Sequence, residues 1–259
     1  DDTLIQQTVS RILPLIQKEN IFIVTNQSLA DEINIQLSAK FNVPWDENFI
    51  IEPEAKNTAP ALGLSALHLE KIDPESIMVV LSADHAIHKD AEFLNLLRVA
   101  GQAAHDNYLV TLGIKPNRPE TGYGYIKRGE KCRCSRSITD GAYDADVYKV
   151  EAFVEKPDLE TAKNYLASGN YYWNSGIFIW KARTLLSEIE KHVPALYGGL
   201  VEIRKNIGTG NESDVVRDVF KRLDSISIDY AVMEKTDRAA VIPADIGWSD
   251  MGSWTALDD

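Results

Sequence analysis

The sequence predicts an α/β fold: a mixed, mainly parallel sheet with helices on both faces. Three observations carry that prediction. The first 112 residues alternate between helical-period segments and short apolar runs, with short connections. Ile77-Met78-Val79-Val80-Leu81 is an unbroken apolar run rich in β-branched residues, the pattern of a strand buried on both faces. With 259 residues, 44% hydrophobic and 25% charged, the chain is long enough for one large core.

In chain order, residues 3–18 place Leu4, Ile5, Val9, Ile12, Leu13 and Ile16 at helical spacing, which predicts an amphipathic helix kinked at Pro14. Residues 21–25 read as a short buried strand, 29–40 as a helix, and 49–52 as a strand stopped by Pro53. Residues 58–71 form an Ala- and Leu-rich helix with Thr58 near its start and Pro60 in its first turn. The strand at 77–81 comes next, then a helix over 93–105 and a strand over 108–112.

From Thr121 the texture changes. Residues 125–127 and 147–154 read as strands, and the polar stretch 129–146 between them reads as a mobile hairpin tip. A helix over 159–167, a strand over 172–180 and helices near 183–191 and 196–205 come after it. Residues 208–213 read as a loop, 228–235 as a short helix and 239–242 as the last strand, and 214–227 carries no assignment. No repeat, low-complexity tract or linker divides the chain, so 1–259 is expected to be one domain, with the strands of 122–180 extending or overlying the main sheet.

Charge and composition exclude some functions. The net charge is −12 and no basic face is visible, so nucleic acid is not an expected partner. There is no apolar run of transmembrane length and no signal-peptide pattern, so the expectation is no membrane and a cytoplasmic location. Cys132 and Cys134 are too close for an ordinary structural disulfide, and two thiolates do not complete a zinc site, so they read as free thiols in a reducing compartment. His85 and His88 lack further ligands and are not read as a metal site. No phosphate-binding P-loop, nucleophile elbow or Gly-x-Gly-x-x-Gly loop occurs.

Six stretches can carry chemistry. Asp84 lies just past the strand at 77–81, where open α/β sheets bind ligands; it is a metal or substrate residue, or merely a cap for the next segment. Glu52-Pro53-Glu54-Ala55-Lys56-Asn57-Thr58 joins a strand end to a helix start. Glu52 there can accept from the adjacent donors of guanine, while Asn57 or Thr58 can equally be the helix N-cap. Gly122 and Gly124 allow close backbone approach to a ligand, or an ordinary turn. Glu155 and Lys156 share one site only if the strand ends and turns at them. Asn174 can bond a hydroxyl or serve a turn. Asp250, in the Gly- and Trp-rich stretch 245–254, is a second carboxylate in a strand-following loop, and two carboxylates with phosphate oxygens and waters are a usual Mg²⁺ shell.

The order EPEAKNTAPA, VVLSADH, GIKPNRPETGYGYI, FVEKP, WNSGIF, SIDYAVMEK, ADIGWSDMGSW resembles the mannose-1-phosphate guanylyltransferases of the sugar nucleotidyltransferase family, from about Thr3 to Leu257. The resemblance implies a Rossmann-like nucleotide-diphospho-sugar transferase fold. It also implies the reaction of GTP with α-D-mannose 1-phosphate to give GDP-mannose and diphosphate, by in-line attack on the α-phosphorus. By position it makes Asp84, Lys156 and Asp250 catalytic, with Asp84 and Asp250 holding Mg²⁺. It puts Glu52, Pro53, Asn57, Thr58 and Ser82 at the nucleotide, and Gly124, Glu155, Lys156 and Asn174 at the sugar phosphate.

The same resemblance implies a nucleotide-binding half over 1–120, a sugar-phosphate half over 121–259, and a possible homodimer. Family members begin with a strand and a Gly-rich loop carrying an arginine, then a lysine; residues 1–20 match neither, so that strand and loop are missing from this sequence. The alternatives are a nucleotidyltransferase for another sugar or base, and a non-catalytic GDP-mannose-binding regulatory homologue.

Overall fold

A computed structural model describes residues 2–132 and 145–251. Its strands are β1 (Ile23–Asn26), β2 (Phe49–Glu52), β3 (Ile77–Val80), β4 (His85–Ala86), β5 (Leu109–Ile114), β6 (Tyr125–Lys131), β7 (Tyr148–Val154), β8 (Tyr171–Lys181), β9 (Ala239–Ala244) and β10 (Ser249–Asp250). Its helices are α1 (Leu4–Ile12), α2 (Gln27–Phe41), α3 (Thr58–Ile72), α4 (Asp90–His105), α5 (Leu159–Ser168), α6 (Ala182–His192), α7 (Pro194–Arg204) and α8 (Glu212–Arg222), with a π-helical turn at Asp229–Met233.

The main sheet has six strands in the order β3-β8-β5-β9-β7-β6, and β6 also returns to pair with β8. Strands β3, β5, β9 and β6 run one way and β8 and β7 the other. The α/β class and the mixed sheet are as expected, but the mainly parallel pairing is not. Only β5–β9 is a parallel pair in this sheet, because β8 inserts between β3 and β5 and is antiparallel to both. The segment from β3 through α4 to β5 alternates as a parallel crossover would, and alternation does not reveal a later strand slipping between its two strands.

The expected continuous sheet is also divided. β1 and β2 form a separate parallel pair, and β4 and β10 a separate antiparallel one. Among the described residues no strand pairs with the facing edges of β1 and β3. Between them lies a groove of about 1540 Å³, walled by apolar side chains from α1, β1, α3 and β3. Strand β3 is therefore an edge strand rather than one buried on both faces: Met78 is buried, while Ile77, Val79 and Val80 are half-buried.

Both faces of the large sheet are covered, and side-chain alternation splits each strand between two cores. Phe178 and Trp180 of β8 and Val241 of β9 face the core built with α3, α6, α7 and α8. Ile177 and Ile179 of β8 and Ala240 and Ile242 of β9 face the core built with α1 and α4. That is why β8 and β9 are continuous apolar runs.

Two element expectations are corrected. Helix α1 ends at Ile12 rather than bending through to Lys18, since Pro14 has no N–H to continue the ladder. Helix α8 fills part of the unassigned 214–227 stretch, with Val216, Val219 and Phe220 buried. The hairpin around 129–146 is supported at its base, where β6 and β7 pair antiparallel; residues 133–144, including Cys134, lie outside the described residues, as do 252–259. Among the described residues no helix is long and apolar enough to cross a membrane.

Candidate active site

Two loops far apart in the sequence, 84–89 and 246–251, are zipped together beside the end of β3. In the β4–β10 ladder Asp250 lies opposite His85 and Ser249 opposite Ala86. The Met251 N–H donates to the Asp84 carbonyl at 3.2 Å, and the His88 and Lys89 N–H groups both donate to the Ile246 carbonyl at 3.1 Å. Gly247 makes this approach possible: its φ is +62°, and a Cβ there would meet His88 Cβ at 2.9 Å. The outcome is that ligand atoms of Asp84, His85 and Asp250 all lie within 4.8 Å of one another. Asp84 is exposed, Asp250 half-buried and His85 buried.

His85, which the sequence pattern sets aside, is thus part of the cluster. The His85-x-x-His88 spacing gave no reason to include it; the cross-strand pairing with Asp250 does. Its ring is edge-on to Trp248, with centroids 5.3 Å apart. Burial holds its pKa below the usual histidine range, while Asp84 and Asp250 pull it upward.

The groove reaches this cluster. Its polar lining includes Glu52, Asn57, Thr58, Ser82, Asp84 and Asp229. Pro53, which ends β2, does not line it. Burial raises the pKa of Glu52. Asn57 is the α3 N-cap, with φ +68° and its side chain accepting from the Thr58 N–H at 2.8 Å. Thr58 Oγ1 accepts from the Ile228 N–H at 2.8 Å. Both side chains thereby fix the groove wall, and Thr58 also fixes the entry to the π-helical turn.

The second set of predicted residues meets where β7, β8 and that turn converge. Strand β7 ends at Val154, and Lys156 takes a left-handed φ of +49°. This turn is what lets Glu155 and Lys156 share a site; Lys156 Nζ lies 3.7 Å from Glu155 Oε1. Gly124 backs the pair, since a Cβ on it would collide with Glu155 Oε2 and sit 3.2 Å from Asn174 Cβ. The Asn174 N–H donates to the Gly124 carbonyl at 2.8 Å.

Asn174 is held at both ends of its amide. Its Oδ1 accepts from Thr111 Oγ1 at 3.0 Å and from the Gly176 N–H at 3.3 Å, and its Nδ2 donates to Asp229 Oδ1 at 2.9 Å. One amide hydrogen remains for a ligand. Glu155 is pushed up to about 7 by burial, with Asp229 and Glu234 adding to the shift and Lys156 opposing it. Its Oε2 is buried and has no hydrogen-bond partner among the described residues. Asp229, raised by burial, and Glu234, which accepts from the Glu155 N–H at 2.9 Å, were not singled out from the sequence. Their signal is the SIDYAVMEK segment, which starts the π-helical turn with Asp229 and caps its end with Glu234.

A nucleotidyl transferase family model matches residues 1–259. The chain belongs to the nucleotidyl transferase family. Among relatives, it is 41% identical over 260 residues to a mannose-1-phosphate guanylyltransferase of Klebsiella pneumoniae, covering 99% of this chain and 52% of that protein. It is 37% identical over 268 residues to the alginate biosynthesis protein AlgA of Pseudomonas aeruginosa, covering 100% of this chain and 52% of that one. The chain thus spans about half the length of the curated relatives it matches. A crystal structure described as a mannose-1-phosphate geranyltransferase from Thermus thermophilus superposes with a TM-score of 0.78 at 31% identity, covering 98% of this chain and 68% of that one. In this nucleotidyl transferase, then, the mainly apolar groove and the polar Glu155–Asn174 cluster meet at Asp229 and Gly176.

Proposed function

We propose that this nucleotidyl transferase moves guanylyl from GTP to α-D-mannose 1-phosphate, giving GDP-mannose and diphosphate. The observation that carries the reading is the convergence of Asp84 and Asp250 through the β4–β10 pairing, beside a groove lined by Glu52 and Ser82. A converging carboxylate pair, one member exposed and lining the groove, suits a hard divalent cation, and Mg²⁺ is the ion this reading assigns. Such a cation supplies charge neutralisation at the α-phosphate and the incoming phosphate.

The remaining roles fall to the chain's own side chains. Glu52, desolvated in the groove, accepts from the donors on the guanine edge, with Asn57 and Thr58 shaping that wall, Ser82 beside it and Pro53 only ending β2 next to Glu52. The free amide hydrogen of Asn174 and the Glu155 carboxyl meet sugar hydroxyls, and Gly124 keeps the space between them open. Lys156, 59% exposed, presents a point charge to the sugar phosphate. No covalent nucleophile is required; positioning and charge supply the catalysis, with a phosphate oxygen of the sugar attacking the α-phosphorus as diphosphate leaves. Nucleotides and sugar phosphates as substrates are consistent with a cytoplasmic setting.

The test is turnover by the full-length protein with mannose 1-phosphate and a panel of GTP, UTP and dTTP, with and without Mg²⁺. The expected result is Mg²⁺-dependent GDP-mannose formation with GTP preferred. Preference for UTP or dTTP would defeat the guanylyl assignment.

A further inference from the structure

We propose that His85 is a third ligand to the divalent cation of the Asp84–Asp250 site, making it a two-carboxylate, one-imidazole centre. This rests on the functional reading above only in taking a cation to bind there. Three features of the structure carry it.

The first is convergence: one ring nitrogen of His85 and one oxygen from each carboxylate lie within 4.8 Å of one another. Asp84 is exposed, so rotation of its side chain can tighten the set. The second is an unmet need. His85 is only 9% exposed, and its Nδ1 is buried with no hydrogen-bond partner among the described residues. Buried ring nitrogens in folded proteins are almost always partnered, and those that bind metals are fixed by their surroundings. The third is fixation. The backbone pairing of His85 with Asp250 sets its position, and the edge-on contact with Trp248 sets its ring plane.

The chemical consequence is selectivity. Oxygen-only shells suit Mg²⁺, whereas a neutral imidazole raises affinity along the first transition series. The site should therefore take Mn²⁺ more tightly than Mg²⁺, with Mg²⁺ still able to serve where it is abundant.

Mn²⁺ alone is the probe. Electron paramagnetic resonance titration of the chain should show one bound Mn²⁺, held about tenfold or more tightly than Mg²⁺ in competition. Pulsed measurements should show ¹⁴N modulation that changes to the ¹⁵N pattern when the protein carries [¹⁵N]histidine, a comparison that leaves the fold untouched. His85→Asn should lose the modulation and bind Mn²⁺ more weakly. Mn²⁺ bound by the wild type and lost on Asp250→Asn, but without nitrogen modulation, would overturn the role of His85 while leaving the carboxylate site intact. Modulation surviving in His85→Asn would assign it to another histidine and overturn the proposal. Absence of any Mn²⁺ binding would overturn both the proposal and the metal reading of Asp84 and Asp250.

Discussion

At the scale of single residues, the second cluster is a set of acids crowded around one amide. Glu155 is shifted from 4.5 to about 7, so the folded state prefers its protonated form. Its contribution to stability is fully present below about pH 4.5 and is lost as pH rises through about 7. Glu155→Gln mimics the protonated acid. Urea midpoints of that variant should rise relative to wild type as pH increases from 4.5 to above 7, and parallel pH profiles would contradict the buried, acid-facing placement. Asp229 acts one step further out, by accepting from Asn174 Nδ2 and so fixing the orientation of the amide that the proposed function assigns to the sugar. Removing a hydrogen bond to a charged group costs about 1.5–3 kcal/mol, so Asp229→Ala should raise KM for the sugar phosphate roughly tenfold or more. On the proposed reading KM for GTP should rise less than KM for the sugar phosphate, since Asp229 lines the groove but bonds Asn174 on the sugar side. An equal rise in both would indicate general damage to the fold instead.

At the scale of elements, what could be read from the sequence depended on whether a local signal existed. Strand β2 was found to the residue because Phe49-Ile50-Ile51 is apolar and Pro53 follows Glu52, and α3 to within one residue at its end because its apolar residues come after Asn57 and Thr58. Helix α8 went unassigned because its N-terminus lacks a side-chain cap and lies behind a Gly- and Asn-rich loop, while its buried Val216, Val219 and Phe220 are interleaved with charges. Its packing is nonetheless firm: Phe220 is fully buried in the core it shares with α3, α6 and α7. Phe220→Ala should cost about 3–5 kcal/mol in chemical denaturation, and a loss under about 1 kcal/mol would mean α8 is not seated there. The insertion of β8 between β3 and β5 had no local signal at all, because strand order is decided by long-range pairing.

At the scale of the whole molecule, the candidate site is made by bringing distant parts of the chain together. Residue types announced its components: a carboxylate beyond β3, a Trp- and Gly-rich loop with a second carboxylate, an acid and a lysine at a strand end. Their meeting did not show, because β4 and β10 are two residues each, too short for any pattern of alternation, and because His85 enters only through that pairing. The proposed function requires Asp84 and Asp250 to work as one unit. Turnover of GTP and mannose 1-phosphate by the full-length protein should be compared for Asp84→Asn, Asp250→Asn and the double variant. Each single change should lower kcat by about 10²–10³-fold, by analogy with loss of one preorganised electrostatic group. The double variant should be little worse than either, as expected of residues that act together. Near wild-type turnover in either single variant, or losses that multiply in the double, would contradict a shared site.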